Sequence, residues 1–200
     1  MNLLLAIEGA PAAGKTVLIE RMRRADDVVL AEPLTTRPST PWRHDLAASR
    51  ARSDLWFLGQ ECRRWEVART ASGRVLFDRC LLSQLVHWRV RRRIYGFRTA
   101  PAVRRYLERS IEAGRLGLPP VLVLHPPDGE WERRARERLA NAPETFDPEP
   151  LFRSDDYLIE SRASYALLVV RCSRRQVEGE MLYSLPATSV RELATELDVD

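Results

Sequence analysis

A three-layer α/β/α sandwich built on a mostly parallel sheet of about five strands is the fold class the sequence predicts, and three observations predict it. Short, continuous apolar runs recur at 3–7, 28–31, 75–77 and 121–124. Between them lie stretches whose apolar residues fall at helical spacing. The first run leads straight into a glycine-bearing turn and then a helical stretch. A strand buried on both faces needs a continuous apolar run, and strands alternating with helices build a parallel sheet covered on both sides.

Each element follows in chain order. The strand at 3–7 is followed by the turn 8–14, and Lys15 to Arg24 continue as a helix carrying Val17, Leu18 and Met22. Val28 to Ala31 form a second strand that ends at Glu32-Pro33, where proline blocks continuation. The proline- and threonine-bearing stretch 34–45 is a loop. From Ala47 to Ala71, the residues Leu55, Leu58, Cys62, Trp65 and Val67 recur at helical intervals until Ser72-Gly73 breaks the pattern. A third strand, Val75 to Phe77, ends at Asp78-Arg79, and a helix with Leu85, Val86 and Trp88 begins near Ser83. Pro101 opens another helix reaching about Ala113. The fourth strand is Val121 to Leu124, and an arginine-rich helix runs from Glu130 to Leu139. Proline-bearing 141–150 is a loop, Asp155 to Val170 a long helix, Met181 to Leu185 a last strand, and Ser189 to Leu197 a last helix.

Two hundred residues suit one domain, 1–200, with a sizeable core. No apolar run is long enough to span a bilayer, and Glu8 interrupts the first run too soon for a signal-peptide core. The expected location is cytoplasmic. Cys62, Cys80 and Cys172 are an odd number without a close pair, which speaks against a disulfide framework or a zinc site. The net charge is +4, but Lys15 is the only lysine among 32 basic residues, and the arginines are spread along the chain among 28 acidic ones. A phosphate-rich small substrate accounts for that excess as well as DNA does. The expected partners are a small-molecule acceptor and a second copy of the chain in a homodimer, with no nucleic acid and no membrane.

The strongest motif is Gly9-Ala10-Pro11-Ala12-Ala13-Gly14-Lys15-Thr16, with Val17 following on the helix. Its spacing sets successive backbone N–H groups around an anion at a helix N-terminus. Gly14 permits close backbone approach, Lys15 reaches the β- and γ-phosphates, and the Thr16 hydroxyl helps to hold Mg²⁺. The expected cofactors are therefore ATP and Mg²⁺. Ligands of such sheets sit beyond the carboxyl ends of the strands. Glu32 falls at one such end and Asp78-Arg79 at another. A carboxylate there accepts the proton of an acceptor hydroxyl or positions the metal, and an arginine binds phosphate. For Glu32 both roles, and that of a solvated loop carboxylate, stay open. For Asp78 the other reading is the N-cap of the next helix, which is compatible with a metal-side role.

These pieces, Gly9 to Thr16, then Glu32-Pro33, then Asp78-Arg79-Cys80-Leu81-Leu82-Ser83, resemble the thymidylate kinase and deoxynucleoside kinase group of P-loop proteins. The run Pro119 to Pro127 with Arg133, Arg134, Arg136 and Arg138 is similar to the family's fourth strand and lid approach. Phe146-Asp147-Pro148-Glu149, Phe152 and Tyr165 are similar to the thymidylate kinase helix beyond the lid. The resemblance implies that Lys15 and Thr16 hold ATP and Mg²⁺, that Glu32 lies near the acceptor, that Asp78 assists metal or acceptor, and that Arg79 binds the phosphate region. It also implies that Gln60 reads a base; a polar position on an amphipathic helix is the other reading of that residue. The chain departs from the family at Cys80, where thymidylate kinases carry an aromatic residue, and after Pro33, where it has Leu34-Thr35-Thr36-Arg37 in place of Gly-Gly.

Phosphoryl transfer needs cations around the migrating group and exclusion of water. The segment 133–150 is the candidate lid, with Arg138 a candidate acceptor-side contact. Arg134 and Arg138 share a helix face, as do Glu130 and Arg134, so a solvated helix with internal ion pairs is the competing reading. Arg89 and Arg91 to Arg93 divide the same way, with a solvated face first. The function predicted is transfer of the γ-phosphate of ATP to a nucleoside, nucleotide or similar small acceptor. Two alternatives remain: a kinase for another metabolite such as an antibiotic, and a nucleotide-binding regulatory protein. A guanine-reading N-K-x-D is excluded because Lys15 is the sole lysine.

Overall fold

The computed structural model describes residues 3–33, 46–140, 154–170, 172–177, 180–185 and 190–197. Its sheet has six strands, in the order β2-β3-β1-β4-β6-β5: β1 Leu3–Glu8, β2 Val28–Leu30, β3 Arg74–Asp78, β4 Val121–Leu124, β5 Ser173–Val177 and β6 Glu180–Ser184. The first four run parallel, with Ile7 opposite Asp78 and Leu30 opposite Phe77. β6 lies antiparallel to β4, and β5 antiparallel to β6.

The fold is the α/β sandwich expected, but the sheet has six strands rather than about five. The additional strand, Ser-Arg-Arg-Gln-Val, has neither an apolar run nor alternation. It sits at the sheet edge as one arm of a hairpin, where backbone pairing with β6 suffices and no buried face is demanded of it.

Side chains alternate across the sheet and divide the core. Ala6, Val75, Phe77, Val121 and Val123 point to the larger layer, formed with residues of α2 Ala47–Thr70, α3 Leu81–Tyr95, α4 Pro101–Glu112, α6 Asp155–Val169 and α7 Val190–Glu196. Ile7, Leu76, Leu122 and Leu124 face the other way, against Leu18 and Ile19 of α1 Lys15–Met22. α3 begins at Leu81, two residues earlier than the apolar spacing suggested. Ser154 caps α6: its side chain accepts from the Tyr157 N–H at 3.2 Å, with Asp155 and Asp156 in the first turn of the helix.

The common direction of the parallel strands gathers their carboxyl ends on one edge. Glu8, Glu32 and Asp78-Arg79 thus become neighbours. α5 Asp128–Ala140 closes over the same edge from beyond β4.

Candidate nucleotide site

The turn after β1 has the backbone its glycines require. Gly9 has φ +143°, and a Cβ there would collide with the Leu124 carbonyl. Gly14, with φ +98°, caps α1, and a Cβ on it would stand 2.7 Å from Arg134 Nη1. Ala12, at φ 63°, takes a left-handed conformation that a side chain disfavours. The loop curls around its own lysine: Lys15 Nζ donates to the carbonyls of Gly9 at 3.0 Å and Ala10 at 2.9 Å. Burial, then the nearby Arg79 charge, lowers the Lys15 pKa to about 7. A cleft of about 540 Å³ opens beside it, lined among others by Thr16, Glu32, Arg79 and Arg134.

Thr16, in the first turn of α1, donates its hydroxyl to Asp78 Oδ2 at 2.8 Å. Asp78 Oδ1 is buried without a hydrogen-bond partner among the described residues. An orphaned carboxylate oxygen beside a threonine hydroxyl is a hard-oxygen donor set that fits Mg²⁺, which takes one or two protein oxygens and completes its shell with phosphate and water. Asp78 is not a helix cap: the α3 N-cap is Cys80, with no side-chain bond.

Arg79 is the second left-handed residue, at φ 64°. Its N–H donates to the Ile7 carbonyl at 3.1 Å, and its own carbonyl accepts from Arg64 Nη2 at 2.8 Å. Arg64 Nη2 reaches the carbonyls of Asp78 at 3.0 Å and Leu30 at 2.9 Å as well, so one guanidinium from α2 stitches the ends of β2 and β3. Arg64 Nη1 pairs with Glu61 at 2.5 Å. Burial lifts the Glu61 pKa to about 7, against the pull of Arg64. On the cleft side, Arg79 Nε stands 2.8 Å from Glu32 Oε1, an ion pair whose N–H is not aligned on the carboxylate. Burial opposes the Arg79 charge, but Glu32, Tyr165, Glu8 and Tyr157 together outweigh it and hold the guanidinium charged.

Beneath the loop lies Glu8, fully buried at the end of β1. It accepts from the Cys80 N–H at 2.6 Å, the Ser83 hydroxyl at 2.7 Å and the Tyr165 hydroxyl at 2.7 Å. Four carboxylates (Glu8, Glu32, Glu61, Asp78) and three cations (Lys15, Arg64, Arg79) therefore crowd one sheet edge.

The family model that matches the chain is described as an AAA domain and covers residues 4–153, from the first strand through the loop and α5. The chain belongs to that AAA domain family. No curated protein matches the sequence. Three solved structures of deoxyadenosine kinase from M. mycoides share its fold. The one with the products dCMP and a flexible dCDP is 17% identical, covers 82% of this chain and 82% of that one, and superposes at a TM-score of 0.58. Those with dATP and dCTP are 16% and 17% identical, at TM-scores of 0.57 and 0.55, with 81% and 82% of both chains covered.

In this AAA domain protein, the residues expected at the site divide into two groups. Gly9, Gly14, Lys15, Thr16, Glu32, Asp78 and Arg79 converge on the strand-end edge. Ala10, Pro11, Ala12 and Ala13 shape the loop, and Val17 lines the cleft with 56% of its surface exposed. Gln60 is half-buried on α2 and does not line that cleft. Arg138 belongs to α5, but its side chain lies outside the described residues, as do 34–45 and 141–153 with Leu34 to Arg37, Phe146 to Glu149 and Phe152. The described part of the candidate lid is helix, and its expected internal ion pairs are present: Arg133–Glu137 at 2.7 Å, Arg134–Glu130 at 2.5 Å and Arg136–Glu132 at 3.6 Å. α5 also grips the loop, with Trp131 Nε1 donating to Pro11 O at 2.9 Å and Arg134 Nη1 to Ala13 O at 2.6 Å.

The arginines at 89 and 91–93 do not form a solvated face throughout. Arg89 is largely buried and donates to the Leu197 carbonyl at 3.1 Å, and Arg91 is buried and binds both oxygens of Asp54, at 3.0 and 2.7 Å. Asp54 also accepts from Gln84 and Trp88, and burial raises its pKa. An Asp on α2 and an Arg on α3 attract here because the helices pack, which arginine spacing alone does not report. Sequence reasoning also passed over Glu8, Glu61 and Arg64. A carboxylate ending an otherwise apolar strand, directly before a phosphate loop, was the available signal for Glu8. Glu61 and Arg64 showed only an ordinary i,i+3 pair.

Within the described residues, no helix is long and apolar enough to cross a membrane, and no cluster of three metal-ligating carboxylate, histidine or cysteine side chains occurs.

Proposed function

We propose that this protein transfers the γ-phosphate of ATP to a nucleoside, a nucleotide or a similar small acceptor. The observation that carries the reading is the facing of two chemistries across one cleft. The lysine-bearing loop lines one side, and the Glu32–Arg79 pair lines the same cavity within reach of it. A binding module needs only the first.

Phosphates entering the loop take over the lysine's hydrogen bonds from the Gly9 and Ala10 carbonyls and draw Lys15 into its charged form. Thr16 and Asp78 would hold Mg²⁺, which supplies charge neutralisation of the β- and γ-oxygens. Glu32 releases Arg79 to the phosphate region and accepts the proton of the acceptor hydroxyl. Arg134, already over Gly14, adds positive charge beside the phosphates and helps to keep water out. The reading makes the protein a cytoplasmic enzyme.

The test is ATP consumption measured over a panel of deoxynucleosides, ribonucleosides, their monophosphates and aminoglycosides. At least one nucleoside or nucleotide should raise turnover well above the acceptor-free rate, and Lys15→Ala should remove that rise while the circular dichroism spectrum is retained. An aminoglycoside as sole acceptor would move the assignment to another metabolite. ATP binding with no acceptor response would favour a regulatory nucleotide-binding protein.

A further inference from the structure

Glu8 does more than fill a buried corner. Its Oε2 receives two hydroxyls from distant parts of the chain: Ser83 at the start of α3, 75 residues away, and Tyr165 on α6, 157 residues away. Ser83 Oγ in turn lies 3.1 Å from Arg79 Nη1, which also approaches the Gly9 carbonyl at 3.4 Å. Arg79 is thereby held between Glu32 on the cleft side and Ser83 on the core side.

The direction of these hydrogen bonds matters. A carboxylate can only accept, so both hydroxyl protons are committed to Glu8, although the two hydroxyl oxygens lie 3.1 Å apart. Burial, reinforced by the Glu8 charge, raises the Tyr165 pKa well above its ordinary value and keeps that proton in place. With its proton turned to Glu8, the Ser83 oxygen presents lone pairs to Arg79, whose guanidinium can only donate. The relay has one polarity, and Glu8 fixes it. Oε1 meanwhile takes the Cys80 N–H, the first amide after the strained Arg79.

We propose that Glu8 is a positioning residue which, through Ser83, aims the Arg79 guanidinium into the nucleotide cleft. The same carboxylate closes β1 immediately before the loop. It therefore couples the placement of the phosphate loop to that of the acceptor-side arginine. The consequence for turnover rests on the phosphotransferase reading; the consequence for Arg79 does not.

Glu8→Gln is the informative variant: the Cys80 N–H can only donate and so claims the amide oxygen, which turns the amide NH₂ toward the Ser83 and Tyr165 hydroxyls. The Ser83 hydroxyl must then reverse and turn its proton toward a guanidinium that is itself a donor. Ser83→Ala removes the relay without touching Glu8, and Ser83→Thr restores a hydroxyl.

The first measurement needs no activity: hindered rotation of the Arg79 guanidinium, read by ¹³C-detected ¹⁵N exchange in arginine-labelled protein and assigned by loss of the signal in Arg79→Lys. Rotation should be slow in the wild type and in Ser83→Thr, and faster by about tenfold in Glu8→Gln and Ser83→Ala. Unchanged rotation in both of those variants overturns the proposal. The second is kcat with ATP and the best acceptor of the panel. Glu8→Gln should lower kcat by about tenfold with the KM for ATP held within about twofold, and by less than about twofold in an Arg79→Ala background. A full loss in both backgrounds would show that Glu8 does not act through Arg79. Faster guanidinium rotation together with no acceptor turnover would uphold the positioning role and refute the kinase assignment instead.

Discussion

The hydroxyl of Thr16, in the first turn of α1, donates to Asp78 Oδ2 at the end of β3, 2.8 Å away and 62 residues later in the chain. The bond exists because β1 and β3 are adjacent and parallel, with Ile7 opposite Asp78. It leaves Oδ1 of the carboxylate buried and unpartnered among the described residues. Asp78→Asn keeps an acceptor for Thr16 and removes the charge. The Mg²⁺ concentration giving half-maximal turnover should rise by about 10- to 100-fold, with thermal stability close to wild type. A Mg²⁺ titration of initial rates decides it; an unchanged titration removes Asp78 from the metal side.

Lys15 carries a proton linkage. Its pKa in the folded protein is about 7, against 10.5 for the ordinary ammonium, because burial disfavours the charge. Phosphate oxygens favour the charge and raise that pKa again. Binding of a non-hydrolysable ATP analogue should therefore take up close to one proton at pH 8 and much less at pH 6. Affinity should fall as pH rises through 7 and beyond. Calorimetry in buffers of different ionisation enthalpy measures the uptake, and Lys15→Met should abolish it. Folding carries the opposite sign: between pH 7 and 10.5 the unfolded chain binds more protons at this position, so the stability contribution of Lys15 grows with pH.

Glu32 is engaged by Arg79 in the cleft. If it accepts the acceptor's proton, Glu32→Gln should lower kcat by about 10²-fold or more while ATP affinity changes by less than about threefold. An equal loss of ATP affinity would assign Glu32 to the metal side instead.

Glu61 should disclose itself through pH. Its pKa is raised from 4.5 to about 7 by burial, so the folded state holds more protons there than the unfolded chain between those values. Its contribution to stability is full below pH 4.5 and is lost as pH rises through 7. Glu61→Gln cannot ionise. The melting temperature of this variant relative to wild type should climb from pH 4.5 to 7 and level off above, by about 2–4 °C for each kcal/mol relieved in a chain of this size. A difference independent of pH would show that Arg64 keeps Glu61 ionised throughout.

The glycine-lysine-threonine loop, the four parallel strands and the placement of Glu32 and Asp78-Arg79 at strand ends were all legible in the sequence. Each is a local property: a spacing, an apolar run, a proline or polar residue where a run stops. The loop even identifies its own lysine, since the chain has no other. From those features alone, the α/β class and the gathering of the loop, Glu32 and Asp78-Arg79 on one sheet edge are determined.

Tertiary structure decided the rest. The Glu8 carboxylate meets Ser83 and Tyr165 only because the order β3-β1-β4 and the packing of α6 on α3 bring those segments beneath one loop. Arg64 finds the Leu30, Asp78 and Arg79 carbonyls because β2 and β3 end together under α2. Arg91, on a run that reads as solvated, is buried against Asp54 by helix packing. β5 is a strand because β6 supplies its hydrogen bonds, with no apolar pattern of its own. Hydrophobic periodicity reports which face of a segment is buried. It is silent on which distant polar group will satisfy a buried charge, because that choice is made only when the elements pack.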